Sequence, residues 1–301
     1  MKEQFISKRF SSENQEMIER ITEILGDYEG QGYRLSLRQL YYQLVARALI
    51  PNSERSYKHI GDLVSNARLA GLIDWDMIED RGREVVAPPM WKNPAEIVEA
   101  AAKQFAIDRW KDQRNYVEVM VEKAALEGVL IPVCRDLGIR FTANRGYSSS
   151  STMYEAGKRL EGYSEDKRII ILYLGDHDPS GIDMTRDVHE RLSMFSWSKI
   201  EVRRLALNMD QIETLNPPKN PAKMTDTRAN AYIAKFGNSS WELDAIEPTA
   251  LARLVQKAVR ELRDETQWQK ALRLEDRMRK ELKRFVNQYR KQHRDRGKSK
   301  K

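Results

Sequence analysis

The chain holds one cysteine, Cys134, in 301 residues, and only four histidines. A lone thiol closes no intramolecular disulfide, and so few soft ligands leave no zinc cluster to assemble. Long apolar runs are missing too: none approaches the ~18–20 residues that span a bilayer. The opening MKEQFISKRFSSENQ has no apolar stretch of the kind that marks a secretory leader. These deficits predict a protein of the reducing cytoplasm with no membrane partner. No internal repeat and no Gly-rich nucleotide loop is seen. The length suits about two ordinary domains.

Charge of one sign is in surplus, but only at one end. The formal net charge is +7. From Thr249 to Lys301 there are 18 basic and 7 acidic residues, a net +11. The preceding 248 residues carry 34 basic and 38 acidic, a net −4. Affinity for a polyanion is expected, yet any nucleic-acid site in the bulk of the chain must be local.

Helical periodicity begins at Met17, Ile18, Ile21, Leu25 and Tyr28, behind a capping box of Ser12 and Gln15, and ends at Gly30 and Gly32. A second box, Ser36 with Gln39, opens a helix over about 37–48. Pro51 and Asn52 interrupt, and a third helix is predicted over about 57–70. LIDWDMIEDRGREVV then reads as short strands around a turn at 80–82. Helix, turn, helix and hairpin form a winged-helix pattern, shared by DNA readers and by protein-docking modules. Pro88, Pro89 and Pro94 mark a linker before a helix over 95–111. From Tyr116 strands alternate with helices: YVEVMVE, a helix over 123–137, a strand over 139–142, the loop RGYSSSS, a helix near 154–160, RIIILYL, a helix over 179–193 and IEVRRLAL. That alternation predicts a parallel α/β sheet. From Pro248 one long amphipathic helix is expected to about Tyr289, followed by a disordered basic tail from Arg290.

Two sets of residues can carry chemistry. Glu122 ends one apolar strand, and Asp176 and Asp178 follow another. Ligands of open parallel sheets bind outside the carboxyl ends of the strands, so three carboxylates can face one crevice. Hard oxygen donors without Cys or His favour Mg²⁺ or Mn²⁺, an ion that suits phosphoryl transfer. Asp178 before Pro179 also fits a helix N-cap with proline at N1. His177 is expected to point away from the two aspartates.

The second set is LRQLYYQL. At ~100° per residue, Leu37, Leu40, Tyr41, Leu44 and Ala48 share an apolar face. Tyr42 falls roughly 130° from its centre, on the side of Arg38, its i−4 neighbour. Tyr41 therefore reads as core and Tyr42 as presented. A presented phenol beside an arginine can attack a phosphate, given help against its usual pKa near ~10. It can equally be an inert exposed tyrosine.

The R-x-x-Y-Y of Arg38–Tyr42, the strand-end Glu122, the D-x-D-P-S-G of Asp176–Gly181 and the WELDAIEP run of Trp241–Pro248 together resemble the family of the topoisomerase VI A subunit and the meiotic double-strand-break transesterase. The resemblance spans about 35–248 and is nearest to the stand-alone mini-A members. It implies a winged-helix domain over 35–90 bearing the nucleophile Tyr42, with Arg38 beside it and Tyr41 beneath. It implies a Toprim α/β domain over 116–248 that holds Mg²⁺ through Glu122, Asp176 and Asp178. Residues 1–34 are a helical extension, 91–115 a linker helix, and 249–301 a C-terminal helix and basic tail. A homodimer on double-stranded DNA is implied, each tyrosine working at the other protomer's metal and leaving a 5′-phosphotyrosyl link. A nucleoid-associated location follows. The chain has no ATPase motif of its own, so a separate ATPase subunit is a possible partner.

Lys58, Arg68, Arg81 and Arg83 are candidate phosphate contacts of the second helix and wing, or a solvated charged face. Arg145 and Ser148 are candidates to approach the scissile phosphate. Lys223 and Arg228 fit that role or plain surface ion pairs. A Toprim nuclease that uses water, and a DNA-binding regulator without chemistry, are the rival expectations.

Overall fold

The computed structural model describes residues 2–78, 88, 90–144, 150–163, 165–222 and 224–298, the last seven of these as backbone only. The chain divides into two units: residues 1–80 with 115–262, and residues 81–114 with 263–301.

In the first unit α1 (Ser12–Gly30), α2 (Leu37–Ala46) and α3 (Glu54–Leu69) share one core. Ile18, Ile21 and Leu25 pack with Leu40, Leu44, Ile60 and Leu63. α1 is therefore integral to this core. Its cap is Ser11, whose side chain accepts from the Asn14 amide, one residue before the expected box. The Ser36–Gln39 capping box of α2 forms as predicted. α3 begins earlier than the periodicity indicated, because Ser53 caps it through the Ser56 amide. After it, Trp75–Met77 is a single 3₁₀ turn where a strand was expected, and Ile78 bridges Leu35. The expected wing turn, with Arg81 and Arg83, lies outside the described residues, as do Arg145, Ser148 and Lys223.

α4 (Pro94–Gln104) belongs to the second unit and stops well short of 111. The predicted α/β alternation follows in the first unit. β1 (Asn115–Val121), α5 (Glu127–Asp136), β2 (Arg140–Ala143), α6 (Ser150–Glu161), β3 (Arg168–Leu174), α7 (Pro179–Ser196) and β4 (Ile200–Ala206) succeed one another. The four strands form one parallel sheet in the order β2-β1-β3-β4. Alternate β residues face opposite sides. Tyr116, Met120, Ile169, Ile171 and Tyr173 meet Met153, Leu160, Met184 and Leu192 of α6 and α7. Both faces of the sheet are covered, which is why RIIILYL reads as an unbroken apolar run. Cys134 is buried in α5, and burial pushes its thiol up to about 12, an inert core residue.

α8 (Met209–Leu215), a two-strand pair of β5 (Asn220–Pro221) with β6 (Ser239–Ser240), α9 (Ala229–Phe236) and a 3₁₀ turn at Leu243–Ala245 lead to α10 (Pro248–Glu261). The single long helix expected from Pro248 is two. Leu262 caps α10, and α11 (Glu265–Lys298) begins after it and belongs to the second unit. α11 also continues through the segment expected to be a disordered tail, since Lys, Arg and Gln are good helix formers. Within the second unit Glu275 of α11 accepts from Arg109 and from the Ile107 amide, and Trp110 meets Trp268 edge to face.

Candidate active site

The sheet order creates the site. From β1 the chain passes to β2 on one side, and from β3 to β4 on the other, so β1 and β3 flank a topological switch point. Glu122 leaves the end of β1 and Asp176 follows the end of β3. The Asp176 amide donates to Glu122 Oε2 at 2.9 Å, which brings the two predicted acids together. Burial and the neighbouring Asp176 push Glu122 up to about 7. Burial also raises Asp176, against the pull of Lys123.

Asp178 is also the N-cap of α7, as the Asp-Pro pair suggests, and its charge adds to the rise at Glu122. Its Oδ1 caps α7, accepting from the Gly181 amide at 2.6 Å and from Ser180 Oγ at 3.1 Å. Two glycines let the chain close this tightly. A Cβ on Gly175 would lie 2.9 Å from Glu122 Oε2, and one on Gly181 would lie 2.3 Å from the Asp176 carbonyl oxygen. Arg204 of β4 holds the same loop. Its Nη1 donates to the Gly181 carbonyl at 2.9 Å and its Nη2 to the Gly175 carbonyl at 3.0 Å. His177 turns away from the carboxylates as expected, its Nδ1 2.7 Å from the Tyr232 hydroxyl and its ring edge-on to Phe236 and Trp241.

Three residues that sequence spacing did not single out complete the cluster. Lys123 Nζ lies 2.7 Å from Asp176 Oδ2, 3.0 Å from Glu242 Oε2 and 3.2 Å from Asp244 Oδ2. Burial opposes its charge, but Asp176, Asp244 and Glu242 together raise its pKa. Asp244 is fully buried, and among the described residues neither of its carboxylate oxygens accepts a hydrogen bond. The Leu243 amide donates to Asp176 Oδ1 at 2.8 Å, tying the 3₁₀ turn to the acid loop. Glu242 and Asp244 lie in the WELDAIEP run, and Lys123 is the neighbour of Glu122. Adjacency to quoted motifs was the available signal.

Arg38 joins the two predicted sets. It pairs with Glu242, Nε to Oε2 at 2.8 Å, and its Nε is 3.6 Å from Asp244 Oδ2. Burial works against its charge, and the Glu242 carboxylate outweighs that and raises its pKa. Glu242 is held below the ordinary carboxylate range, against burial, by Lys123 and Arg38.

Tyr42 is not presented: it is 3% exposed. α2 packs on α1 and α3 with one face, and the Leu243–Ala245 turn covers another, so Tyr41, Tyr42 and Ala245 form their own cluster. Its hydroxyl is nevertheless not in an apolar interior. It accepts from Asn220 Nδ2 at 3.2 Å, and Tyr42 is one of the residues around a pocket of about 460 Å³ that Arg38, Asn52, Asn220 and Glu242 also line. The Arg38 guanidinium lies 6.0 Å from the ring centroid. Burial first, then Glu242, raises the phenol pKa, while Asn220 and Arg38 oppose the rise. Tyr41 is buried as expected, with its hydroxyl donating to Asn52 Oδ1 at 2.9 Å.

Of the candidate phosphate contacts, Lys58 is exposed and pairs with Glu54. Arg68 is buried, a correction to the expected contact role. It donates to the Trp75 and Ile78 carbonyls at 2.8 and 3.0 Å and lies against the Trp75 ring, holding the end of α3 to the chain after it. Arg228 pairs with Asp183 and Asp226.

Among the described residues no three His, Cys, Asp or Glu side chains are grouped to hold a metal ion. The centre of the carboxylates belongs instead to the Lys123 ammonium. The donors themselves suit a hard divalent cation: all are oxygens, and the two Asp244 oxygens that accept no hydrogen bond are ones such an ion satisfies. Comparison with family models, curated proteins and solved structures gives no match for this chain.

Proposed function

We propose that this chain is a Mg²⁺-dependent DNA-cleaving transesterase of the topoisomerase VI A-subunit kind, working as a homodimer on duplex DNA. In this reading 35–90 is the winged-helix domain and 116–248 the Toprim domain. One observation carries it: Tyr42 and Arg38 line one pocket with Glu242, and Glu242 shares Lys123 with Asp176, next to Glu122.

The Tyr42 phenolic oxygen attacks phosphorus as its proton passes to solvent, the new P–O bond joins protein to the 5′ end, and the P–O3′ bond breaks, O3′ taking a proton from solvent to leave as a 3′-hydroxyl. Arg38 steadies the phosphate and favours the phenolate. Glu122, Asp176 and Asp178, with Asp244 behind them, are the residues to hold the ion. When bound it neutralises charge on the phosphate oxygens.

The burial of Tyr42 and its raised pKa favour a second reading, a hydrolytic nuclease in which water attacks and Tyr42 is pocket wall. Supercoiled plasmid with Mg²⁺ separates the two. Transesterification predicts broken DNA with protein on its 5′ ends, released only by protease, and no breaks with Tyr42→Phe. Free ends and a cutting Tyr42→Phe variant establish hydrolysis. Mixing Tyr42→Phe with Asp176→Asn tests the dimer: cutting returns in the mixture if each tyrosine serves its partner's acids.

A further inference from the structure

The outer face of α11 is a run of cations. Take buried Glu275 as the inward pole: at ~100° per residue, Lys270, Arg273, Arg277, Lys280, Arg284 and Lys291 all fall within ~40° of the opposite pole. All six are exposed, and from Lys270 to Lys291 the arc holds no carboxylate. Inward positions are occupied by Trp268, Glu275 and Val286, all buried. Lys280 pairs with Asp276, and the other five make no ion pair among the described residues. Solvent-facing helices usually intersperse opposite charges at i,i+4. Here like charges follow one another at steps of three, four or seven residues, which works against the isolated helix. The row is about 31 Å long at ~1.5 Å per residue. A rigid line of this length and sign matches a polyanion of regular charge spacing and suits no apolar partner.

We propose that this face of α11 is a second DNA-binding surface, a phosphate-tracking rail that contacts the duplex without reading bases. The choice of duplex DNA as the polyanion rests on the proposed function. Its role is to add sequence-independent, salt-sensitive affinity to the contacts made at the cleavage site.

The test measures binding of the full chain to a labelled duplex of about 30 base pairs by fluorescence anisotropy, in EDTA, between about 50 and 200 mM salt. Replacing the six residues by Gln, a good helix former, is expected to flatten the log–log salt slope by about 4 to 5 and to weaken binding by more than about a thousandfold at 50 mM salt. Swapping each Lys for Arg and each Arg for Lys keeps the slope. A control with Lys8, Arg9, Arg20, Lys158, Lys199 and Lys235 changed to Gln removes the same charge elsewhere and keeps most of it. An unchanged slope in the α11 variant, an equal loss in the control, or tighter capture of duplex RNA than DNA overturns the proposal. EDTA removes any metal-dependent cutting, so a wild type that fails to cut plasmid strikes the cleavage reading alone.

Discussion

Two buried glutamates on one strand run are held in opposite ways. Glu118 and Glu122 are four residues apart, on the same face of the β1 run, and almost without solvent. Glu118 is surrounded by donors: the Tyr116 hydroxyl at 2.8 Å, Thr142 Oγ1 at 2.9 Å and Arg159 Nη2 at 2.7 Å. Glu122, at the carboxyl end, accepts the Asp176 amide and faces the Asp176 carboxylate, a like charge. A carboxylate with a full set of partners braces α6 against the sheet. One left short, beside another acid at a topological switch point, is a place for a ligand.

The largest expected effect falls on the second glutamate. Glu122→Gln keeps an oxygen for the Asp176 amide and removes the charge that, on the proposed reading, helps hold the ion. Plasmid cutting with Mg²⁺ is expected to fall by about 10³-fold, with the melting temperature at neutral pH no lower than wild type. A variant that still cuts breaks the comparison from the functional side. Next in size is Glu118→Ala, which leaves Arg159 without its carboxylate. Denaturant unfolding is expected to show a loss of about 3 kcal/mol, and a loss below about 0.5 kcal/mol breaks the comparison from the structural side.

The sequence made the sheet legible and the pocket only partly so. RIIILYL and YVEVMVE are long apolar runs whose strand character local composition dictates, and the acids at their ends followed from the sheet rule. Tyr42 is buried although its place on the wheel reads as presented, because a helical wheel sees one buried face. α2 has Gln39 and Gln43 buried as well, since the Leu243–Ala245 turn, some 200 residues later in the chain, packs against it. No local pattern announces a cover that distant. The break between α10 and α11 was hidden for a related reason. Leu262 continues the apolar spacing, and the stop is made by Asn115 Nδ2 donating to the Leu262 carbonyl at 2.6 Å and by Gln113 with Asp264. Asp244 and Lys123 carry no spacing signal, because their contacts are purely tertiary.

A smaller effect sharpens the comparison through pH. The folded chain holds Glu122 near 7, above the ~4.3 of an unfolded glutamate. Between those values the native state binds the extra proton, so this group costs stability progressively as pH rises through the window. Glu122→Gln removes that cost. The variant is expected to match wild type below about pH 4.5 and to exceed it by about 3 kcal/mol at pH 7. A gap that shrinks as pH rises contradicts the crowding of Glu122 and Asp176.

The smallest effect lies at Thr142, one of the three donors on Glu118. Thr142→Val keeps the shape of the side chain and deletes a single hydrogen bond to a buried carboxylate. Arg159 and Tyr116 still hold Glu118, so its charge stays paired. A loss of about 1.5 kcal/mol in denaturant unfolding is expected, with plasmid cutting unchanged, because Thr142 touches no pocket residue. No equivalent substitution exists at Glu122, whose one hydrogen-bond donor among the described residues is the Asp176 backbone amide and cannot be deleted by changing a side chain. If Thr142→Val lowers cutting while sparing stability, the two glutamates are coupled through β1, and Glu118 belongs to the chemistry after all.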